Sequence, residues 1–329
     1  MKKLDKQTIL ITGGAGYIGS FISLYFKKKY KIIVIDDLSL GKKTQIRAHK
    51  FYKFNLNNAK KLNDCFKKNY IDIIFHLAAY SNLRSSKRNK KIFYLNNFIA
   101  TKNIVNFAIK YKVNKFIFSS TASVYGNNNK NLAFREGFKC KPISIYGKTK
   151  LDSENYIKKK ANKFFRCIIF RFFNVAGADF KKRLGETKNP PEHFIPLIIQ
   201  AMLNYRHIKI FNKFNTEDGT GLRDYIHVND IVDAFDKVLK YFKIMKKNFE
   251  IFNLGCNKAI STLSIAKYLS KTYNKKIIIN YEKKKEGEPD ILFSSIKKAQ
   301  KILDWRPRNN IKKILKDSFL WEKKNVDKF

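Results

Sequence analysis

At 329 residues, with 44% hydrophobic and 15% aromatic side chains, the chain has the composition of a folded globular protein with room for two domains, and not of a disordered one. Its formal net charge of +43, from 69 Lys and Arg against 26 Asp and Glu, would ordinarily point to nucleic acid or an anionic membrane as partner. The lysines are spread along the whole chain with no basic tail and no arginine-rich stripe, so most of the excess reads as solvated surface, and no specific nucleic-acid partner is expected.

Four dispersed cysteines, Cys65, Cys140, Cys167 and Cys256, show no metal-ligand spacing and suit reduced thiols in a cytoplasmic protein; no metal site is expected. The apolar run Ile9–Ile11 meets Gly13-Gly14 at once, so the amino terminus does not read as a signal peptide. No stretch approaches the roughly 20 apolar residues that span a bilayer, and no membrane partner is expected.

Thr8-Ile9-Leu10-Ile11-Thr12 is a β-branched apolar run that predicts a strand buried on both faces. Gly13-Gly14-Ala15-Gly16-Tyr17-Ile18-Gly19 follows, and then an amphipathic stretch, Ser20 to Lys28, that predicts a helix. Strand, glycine turn and helix form the context that a dinucleotide fingerprint requires, because glycines admit a pyrophosphate to the backbone and the helix end offers it unpaired N–H groups. The next strand, Lys31 to Ile35, closes on Asp36-Asp37, about 20 residues beyond the turn, where a ribose-binding acid belongs. Such an acid favours NAD over NADP, whose extra phosphate it would repel. A glycine triplet alone would mean only a tight turn; the strand, helix and acid around it carry the reading.

Ile71 to Ala79 reads as a further parallel strand ending in small residues, with His76 a structural strand-end histidine. Leu95-Asn96-Asn97 opens a helix running to about Tyr111, and Lys115 to Phe118 is a strand with Ser119-Ser120-Thr121 at its carboxyl end. Crevices at strand carboxyl ends are where open α/β sheets bind ligands. Farther on, Tyr146 and Lys150 stand four apart, which on a helix puts their Cβ atoms roughly 6 Å from each other. A lysine near a tyrosine favours the phenolate and is expected to lower its pKa from about 10, giving a general base for a hydroxyl proton. In so lysine-rich a chain the pair alone would be a solvated helix face. With the hydroxyl cluster before it, Thr121 becomes a candidate contact for a substrate hydroxyl. Ile251 to Gly255 reads as a late strand returning to the first domain.

These motifs resemble the extended short-chain dehydrogenase/reductase superfamily and, within it, the UDP-glucose 4-epimerase family. The resemblance rests on Thr12 to Gly19, Asp36 to Ser39, His76 to Ala79, Ser119 to Gly126 and Tyr146 to Lys150, and most specifically on Arg171 to Ala178 and Asp218 to Val228. It implies a Rossmann-type doubly wound parallel α/β sheet with a smaller α/β substrate domain. The NAD-binding part would span 1–175 and about 225–256, and the UDP-sugar-binding part about 176–224 and 257–329. It further implies that Tyr146, Lys150 and Thr121 are catalytic. NAD would lie against Gly13, Gly16, Tyr17, Ile18 and Gly19, with Asp36 and Asp37 at its ribose and Asn55 and Leu56 on its adenine side. Leu77, Ala78, Ala79, Asn96, Ser119, Tyr146, Lys150 and Phe173 would complete that site. The UDP-sugar would meet Thr121 and Tyr146 at the sugar and Asn174, His193, Phe194, Ile210, Phe211, Arg223 and Lys285 elsewhere. A homodimer formed through the helices near 95–111 and after Tyr146 is implied as well.

The chain departs from the family at Lys285, where a second phosphate-binding arginine belongs, and at Asn55, where the adenine-side residue is an aspartate. Dehydratase relatives follow the matching threonine with Asp-Glu; here Thr121 is followed by Ala122-Ser123, so water loss lacks its acid and base. The sequence leaves two alternatives open beside UDP-galactose/UDP-glucose interconversion. One is 4-epimerisation of a UDP-N-acetylhexosamine or UDP-pentose, and the other is a nucleic-acid-binding protein reusing the fold.

Overall fold

The computed structural model describes residues 6–81, 89–127, 132–188, 191–284 and 288–326. In chain order its elements begin with β1 (Thr8–Thr12), α1 (Tyr17–Phe26), β2 (Lys31–Asp36), β3 (Lys50–Lys53), α2 (Ala59–Lys67) and β4 (Ile73–His76). Next come α3 (Lys90–Phe93), a π-helical turn (Tyr94–Ile99), α4 (Ala100–Lys110), β5 (Lys115–Thr121), α5 (Ile145–Lys160), β6 (Arg166–Phe172) and β7 (Asn174–Ala176). The chain continues through α6 (Phe194–Leu203), β8 (His207–Asn212), β9 (Leu222–Arg223), β10 (Tyr225–His227), α7 (Val228–Tyr241) and β11 (Phe249–Leu254). It ends with β12 (Ile260–Ser261), α8 (Thr262–Tyr273), β13 (Ile278–Lys283), β14 (Ile291–Leu292), α9 (Lys297–Leu303) and α10 (Ile311–Val326). Two compact units result. The first comprises Met1–Val124, Pro142–Arg171 and Phe235–Phe252; the second comprises Tyr125–Lys141, Phe172–Ala234 and Asn253–Phe329.

The first unit is built on a seven-stranded sheet of order β11-β6-β5-β4-β1-β2-β3, in which β3, β2, β1, β4 and β5 pair in parallel. β1 is fully buried, as a central strand covered on both faces must be. One face packs Leu10, Ile33, Ile74, Phe116 and Ile169 with Ile104 and Val105 of α4 and Ile157 of α5. The other carries an aromatic chain in which Phe75 meets Phe26 at 5.5 Å and Phe235 at 4.8 Å, and Phe235 meets Phe170 at 5.1 Å. This is the doubly wound Rossmann arrangement. Strand order reverses between β1 and β4, so their carboxyl ends open the crevice in which such sheets bind ligands.

The helix expected to open at Leu95 instead begins at Lys90 and passes through the π-helical turn. The asparagines there cap nothing. Asn97 is buried and exchanges hydrogen bonds with the backbone of Tyr80, accepting from its N–H at 2.8 Å and donating to its carbonyl at 3.0 Å. The amphipathic helix expected from Ser20 starts three residues earlier, on Tyr17.

The second unit carries three small sheets: parallel β7–β10, parallel β8–β13, and β12-β9-β14. Its core joins Ile195, Ile198 and Met202 of α6 to Ile208 and Ile210 of β8, Leu269 of α8 and Leu315 of α10. Segment 125–141 belongs to this unit because Asn253 holds it, accepting from the Tyr125 hydroxyl at 2.7 Å and donating to the Phe134 carbonyl at 2.8 Å.

Phe235 is fully buried between two aromatic rings, whereas Phe164 is 73% exposed. Phe235→Ala is expected to cost about 3–5 kcal/mol of stability in urea unfolding, while Phe164→Ala stays within about 0.5 kcal/mol. Equal losses for the two would refute this assignment of the core.

Candidate active site

A cavity lies outside the carboxyl ends of β1, β2 and β4, at the reversal of strand order. Gly13 and Gly16 form its floor. Gly13 has φ +74°, and a Cβ there would stand 2.6 Å from the backbone nitrogen of Ala78. A Cβ on Gly19 would stand 2.2 Å from the Gly13 carbonyl oxygen, so only glycine lets α1 seat this close to the turn. No side chain caps the amino terminus of α1, which leaves it suited to a phosphate.

Asp36 and Asp37 form one wall with Ile35, Ser39, Leu40 and Gly41. Asp36 accepts from the backbone N–H of Ala15 at 3.0 Å and of Leu38 at 2.9 Å. Burial raises its pKa above the usual carboxylate value in spite of these bonds. Burial pushes Asp37 the same way, but bonds from Ser39 and Asn55 outweigh it and hold that carboxyl low. Asn55 donates to the Asp37 carboxylate at 2.7 Å and to the Asn96 side-chain oxygen at 2.9 Å, tying three wall residues together. Leu56, Leu77, Ala78, Ala79, Tyr80 and Asn96 also line the cavity. Glycine floor, uncapped helix end and ribose-side acid fit NAD.

A second cluster sits where α5 crosses the carboxyl end of β5. Lys150, 2% exposed, donates to the Ser119 carbonyl at 2.7 Å, and its ammonium stands 4.5 Å from the Phe118 ring centroid. Tyr146 is half-buried and hydrogen-bonds with the Thr121 hydroxyl. The Ser119 hydroxyl donates to the His76 carbonyl at 3.1 Å, joining this cluster to the strand that precedes Leu77. Asn97 adds a second tie, donating to Thr149 Oγ1 at 3.2 Å while it holds Tyr80.

The expected lowering of the Tyr146 pKa by Lys150 is not found. Burial pushes the phenol up to about 12, and the opposing pull comes from Thr121. Burial brings Lys150 down to about 7, against the attraction of Glu154. The reason is geometric: the Lys150 ammonium is taken up by the Ser119 carbonyl and the Phe118 ring rather than by the phenol. His76 is structural, as expected. Thr101 Oγ1 donates to the Asn97 carbonyl at 2.5 Å, so it accepts from His76 Nε2 at 2.8 Å, and His76 Nδ1 accepts from Thr12 at 2.6 Å. Burial, with Lys150 nearby, holds His76 well below the usual histidine range and therefore neutral.

Of the other expected cofactor residues, Tyr17, Ile18 and Gly19 lie in the first turn of α1, while Phe173 is buried in the second unit. The remaining expected residues also lie in the second unit. Asn174 donates to the Asp224 carbonyl at 3.2 Å. Arg223 donates to the carbonyls of Leu222 at 2.9 Å and Asp290 at 3.2 Å, with its guanidinium 5.6 Å from the Phe214 ring centroid. A simple Arg223–Asp224 ion pair does not form, because Asp224 is occupied by Ser294 and the N–H groups of Cys256 and Asn257. His193 precedes α6, which opens on Phe194, stands half exposed and bonds Glu186 at 2.7 Å. Ile210 corrects an expectation, since it is buried in the core beside Ile208, leaving Phe211 as the half-buried member of the pair. Lys285 lies outside the described residues.

Residues 9–255 match the model of the NAD dependent epimerase/dehydratase family. The chain belongs to this family. Among similar proteins, UDP-glucose 4-epimerase of Streptococcus mutans is 33% identical, with 96% of each chain covered. UDP-glucose 4-epimerase of Bifidobacterium longum, solved with NAD+ and UDP, superposes with a TM-score of 0.91 at 26% identity, covering 98% of this chain and 100% of that one. The UDP-Glc/GlcNAc 4-epimerase of Campylobacter jejuni gives 0.83 at 33% identity, covering 97% and 99%.

Sequence reasoning missed Tyr80, Phe54 and Leu40 in the cavity wall, and it missed Glu154 beside Lys150. The four-residue step from Lys150 to Glu154 could have revealed the last. Asn55, where an aspartate was expected, acquires a reason: its amide serves the Asp37 carboxylate. Asn55→Asp would set two carboxylates at hydrogen-bond distance and raise the pKa of one. That raised group binds a proton in the folded state that the unfolded chain has already released, so stability falls as pH rises through the carboxylate range. The variant should lose about 1–2 kcal/mol at pH 8 and regain most of it near pH 4. Unfolding curves at both pH values decide this, and no loss at pH 8 would contradict it.

Proposed function

We propose that the chain interconverts UDP-galactose and UDP-glucose by reversible oxidation at C4 of the sugar. The observation that carries this reading is the meeting of Thr121, Tyr146 and Lys150 at the carboxyl end of β5, in the unit whose cavity fits NAD. Gly13, Gly16 and the amino terminus of α1 hold the pyrophosphate, Asp36 the ribose, and Asn55 and Leu56 the adenine side. Leu77, Ala78, Ala79, Asn96, Ser119, Phe173 and Lys150 serve the rest of the dinucleotide. Arg223 serves the diphosphate of the sugar nucleotide, because a planar guanidinium pairs with phosphate oxygens through two parallel bonds. Asn174, His193, Phe194 and Phe211 complete that contact.

Tyr146 removes the proton of the sugar 4-hydroxyl, the O–H bond breaking as the phenolate becomes phenol. Thr121, bonded to the phenol, holds or relays that proton. When bound, NAD would supply the hydride-accepting and hydride-returning chemistry at C4, and the 4-keto sugar turning over its other face in between would account for the inverted configuration. Tyr146 then returns its proton to the ketone oxygen, and its phenolate is restored. The bound substrate and cofactor must bring the phenol down from about 12 for this cycle to run near neutrality. Lys150 supplies the positive charge close to the site.

The test is UDP-glucose formation from UDP-galactose by the purified full chain, without and with added NAD. Turnover is expected, with Tyr146→Phe lowering kcat at least about 100-fold. No turnover with excess NAD would sink the activity, and a Tyr146→Phe variant with most of its turnover would sink the assignment of the base.

We also propose a cytoplasmic homodimer. Tyr94 and Leu95 in the π-helical turn, Ile92 in α3 and Ile109 in α4 expose apolar surface along one run of helix, and all four cysteines are free. No helix among the described residues is long and apolar enough to cross a membrane. Size-exclusion chromatography at micromolar concentration should give twice the chain mass, cell fractionation should leave the protein with the soluble cytoplasm, and elution at the monomer mass would refute the dimer.

A further inference from the structure

Among the described residues, Lys150 and Arg171 are the only buried lysine and arginine, and one carboxylate pairs directly with Arg171 while acting on Lys150 through its charge. Glu154, 3% exposed, accepts from Arg171 Nε at 3.0 Å and Nη2 at 2.6 Å, and from the hydroxyl of Ser120. It stands one helical turn beyond Lys150, as Lys150 stands one turn beyond Tyr146. The three side chains at this four-residue step on α5 take up three successive residues of β5: Tyr146 bonds Thr121, Lys150 bonds the Ser119 carbonyl, and Glu154 bonds Ser120.

We propose that Glu154, clamped by Arg171 and Ser120, is a positioning residue for the proton-transferring pair: it locks α5 in register on β5 and keeps the buried Lys150 ammonium charged. This rests on the reading of Tyr146 as the base that Lys150 assists. An isolated buried ammonium sheds its proton rather than stay charged in an apolar setting. The groups facing Lys150 are Tyr146 and Glu154 from its own helix, His76 from β4 and, through Glu154, Arg171 from β6. Before substrate and cofactor bind, His76 is neutral and burial keeps Tyr146 protonated, so Glu154 supplies the one negative charge among them. Burial draws Lys150 down to about 7, and Glu154 draws it back up. Arg171 does not give up its proton, so it competes with Lys150 for the same carboxylate.

Two substitutions separate this from a purely structural role because they act with opposite sign. Glu154→Gln leaves two buried cations with no carboxylate, so Lys150 must lose its proton at lower pH. Arg171→Met leaves Glu154 wholly to Lys150, which must then keep its proton to higher pH. A lysine whose folded pKa is depressed costs stability at low pH, a cost relieved as pH rises from that folded pKa toward the unfolded value near 10.4. Comparing urea unfolding of the full chain with and without Lys150→Met across pH 5 to 10 locates the break where that relief begins.

The break should fall by about one pH unit or more in Glu154→Gln and rise in Arg171→Met. The alkaline limb of the kcat profile for UDP-galactose should move the same way in each variant. Breaks that move together, or not at all, overturn the proposal. If Glu154→Gln does not fold, Arg171→Met decides alone, an upward shift sustaining the proposal and its absence overturning it. The unfolding readout needs no turnover, so failure of the epimerase reading would show separately, as an inactive parent protein whose breaks still move.

Discussion

A parallel sheet that ends in polar side chains must find each of them a partner inside the fold, since a buried polar group left unpaired costs roughly 1–3 kcal/mol. That constraint organises the first unit. Thr12 of β1 bonds His76 of β4; the His76 carbonyl takes the Ser119 hydroxyl of β5; Ser120 of β5 and Arg171 of β6 share Glu154. Four neighbouring strands therefore end in one continuous polar row. Every member after Thr12 is satisfied by the next strand or by a helix laid across the row. Thr101 of α4 completes His76, and Lys150 and Glu154 of α5 complete the β5 terminus. The reactive group, Tyr146, rides on the helix that this row fixes in place.

The row also decides the electrostatics. The low-dielectric setting that makes its hydrogen bonds strong drives Tyr146 upward and Lys150 downward. Each is thereby drawn toward its neutral form, away from the phenolate and ammonium that chemistry needs, and for Lys150 the charge of Glu154 pulls the other way. Two groups displaced from their ordinary values in opposite directions, one turn apart, form an arrangement that small changes in local charge can tip. Stability gains nothing from such a lysine. Its retention at 2% exposure, in a chain whose other described lysines all reach solvent, argues that chemistry rather than folding keeps it buried.

Local signals in the sequence carried far. β1 falls on its β-branched run, the turn after it on its glycines, and β2 reaches Asp36, because period and glycine placement are properties of neighbouring residues. What escaped depends on distant pairs. The reason for Asn55 lies 18 positions back at Asp37, and Asn97, expected to open a helix, instead sits inside one and reaches 17 positions back to Tyr80. The direction of the Tyr146 shift escaped for a related reason. A four-residue step fixes that Tyr146 and Lys150 share a face, but which of them is desolvated, and where the ammonium turns, depends on Phe118, Ser119 and Glu154 together. Residues 225–234 and 125–141 fall in the second unit for the same kind of reason, the latter held by Asn253 more than a hundred residues away.

The charge of +43 gains meaning from where its scarce opposite sits. With 26 acids against 69 bases, surface carboxylates have little to balance, and exposed pairs such as Lys209–Glu282 are worth under about 1 kcal/mol. Yet Glu154, Asp179, Asp224, Asp230, Glu250, Asp317 and Glu322 are buried. Several of them organise backbone directly: Asp224 receives the N–H groups of Cys256, Asn257 and Ser294, and Asp230 those of Arg308 and Asn309. A lysine cannot replace an acid at such a position, because it has no acceptor to offer an N–H group. A composition biased toward lysine can thus reshape the solvated surface while leaving the interior carboxylates alone. Those that remain inside mark the places where the fold, and in Glu154 the reacting pair, depends on an acceptor.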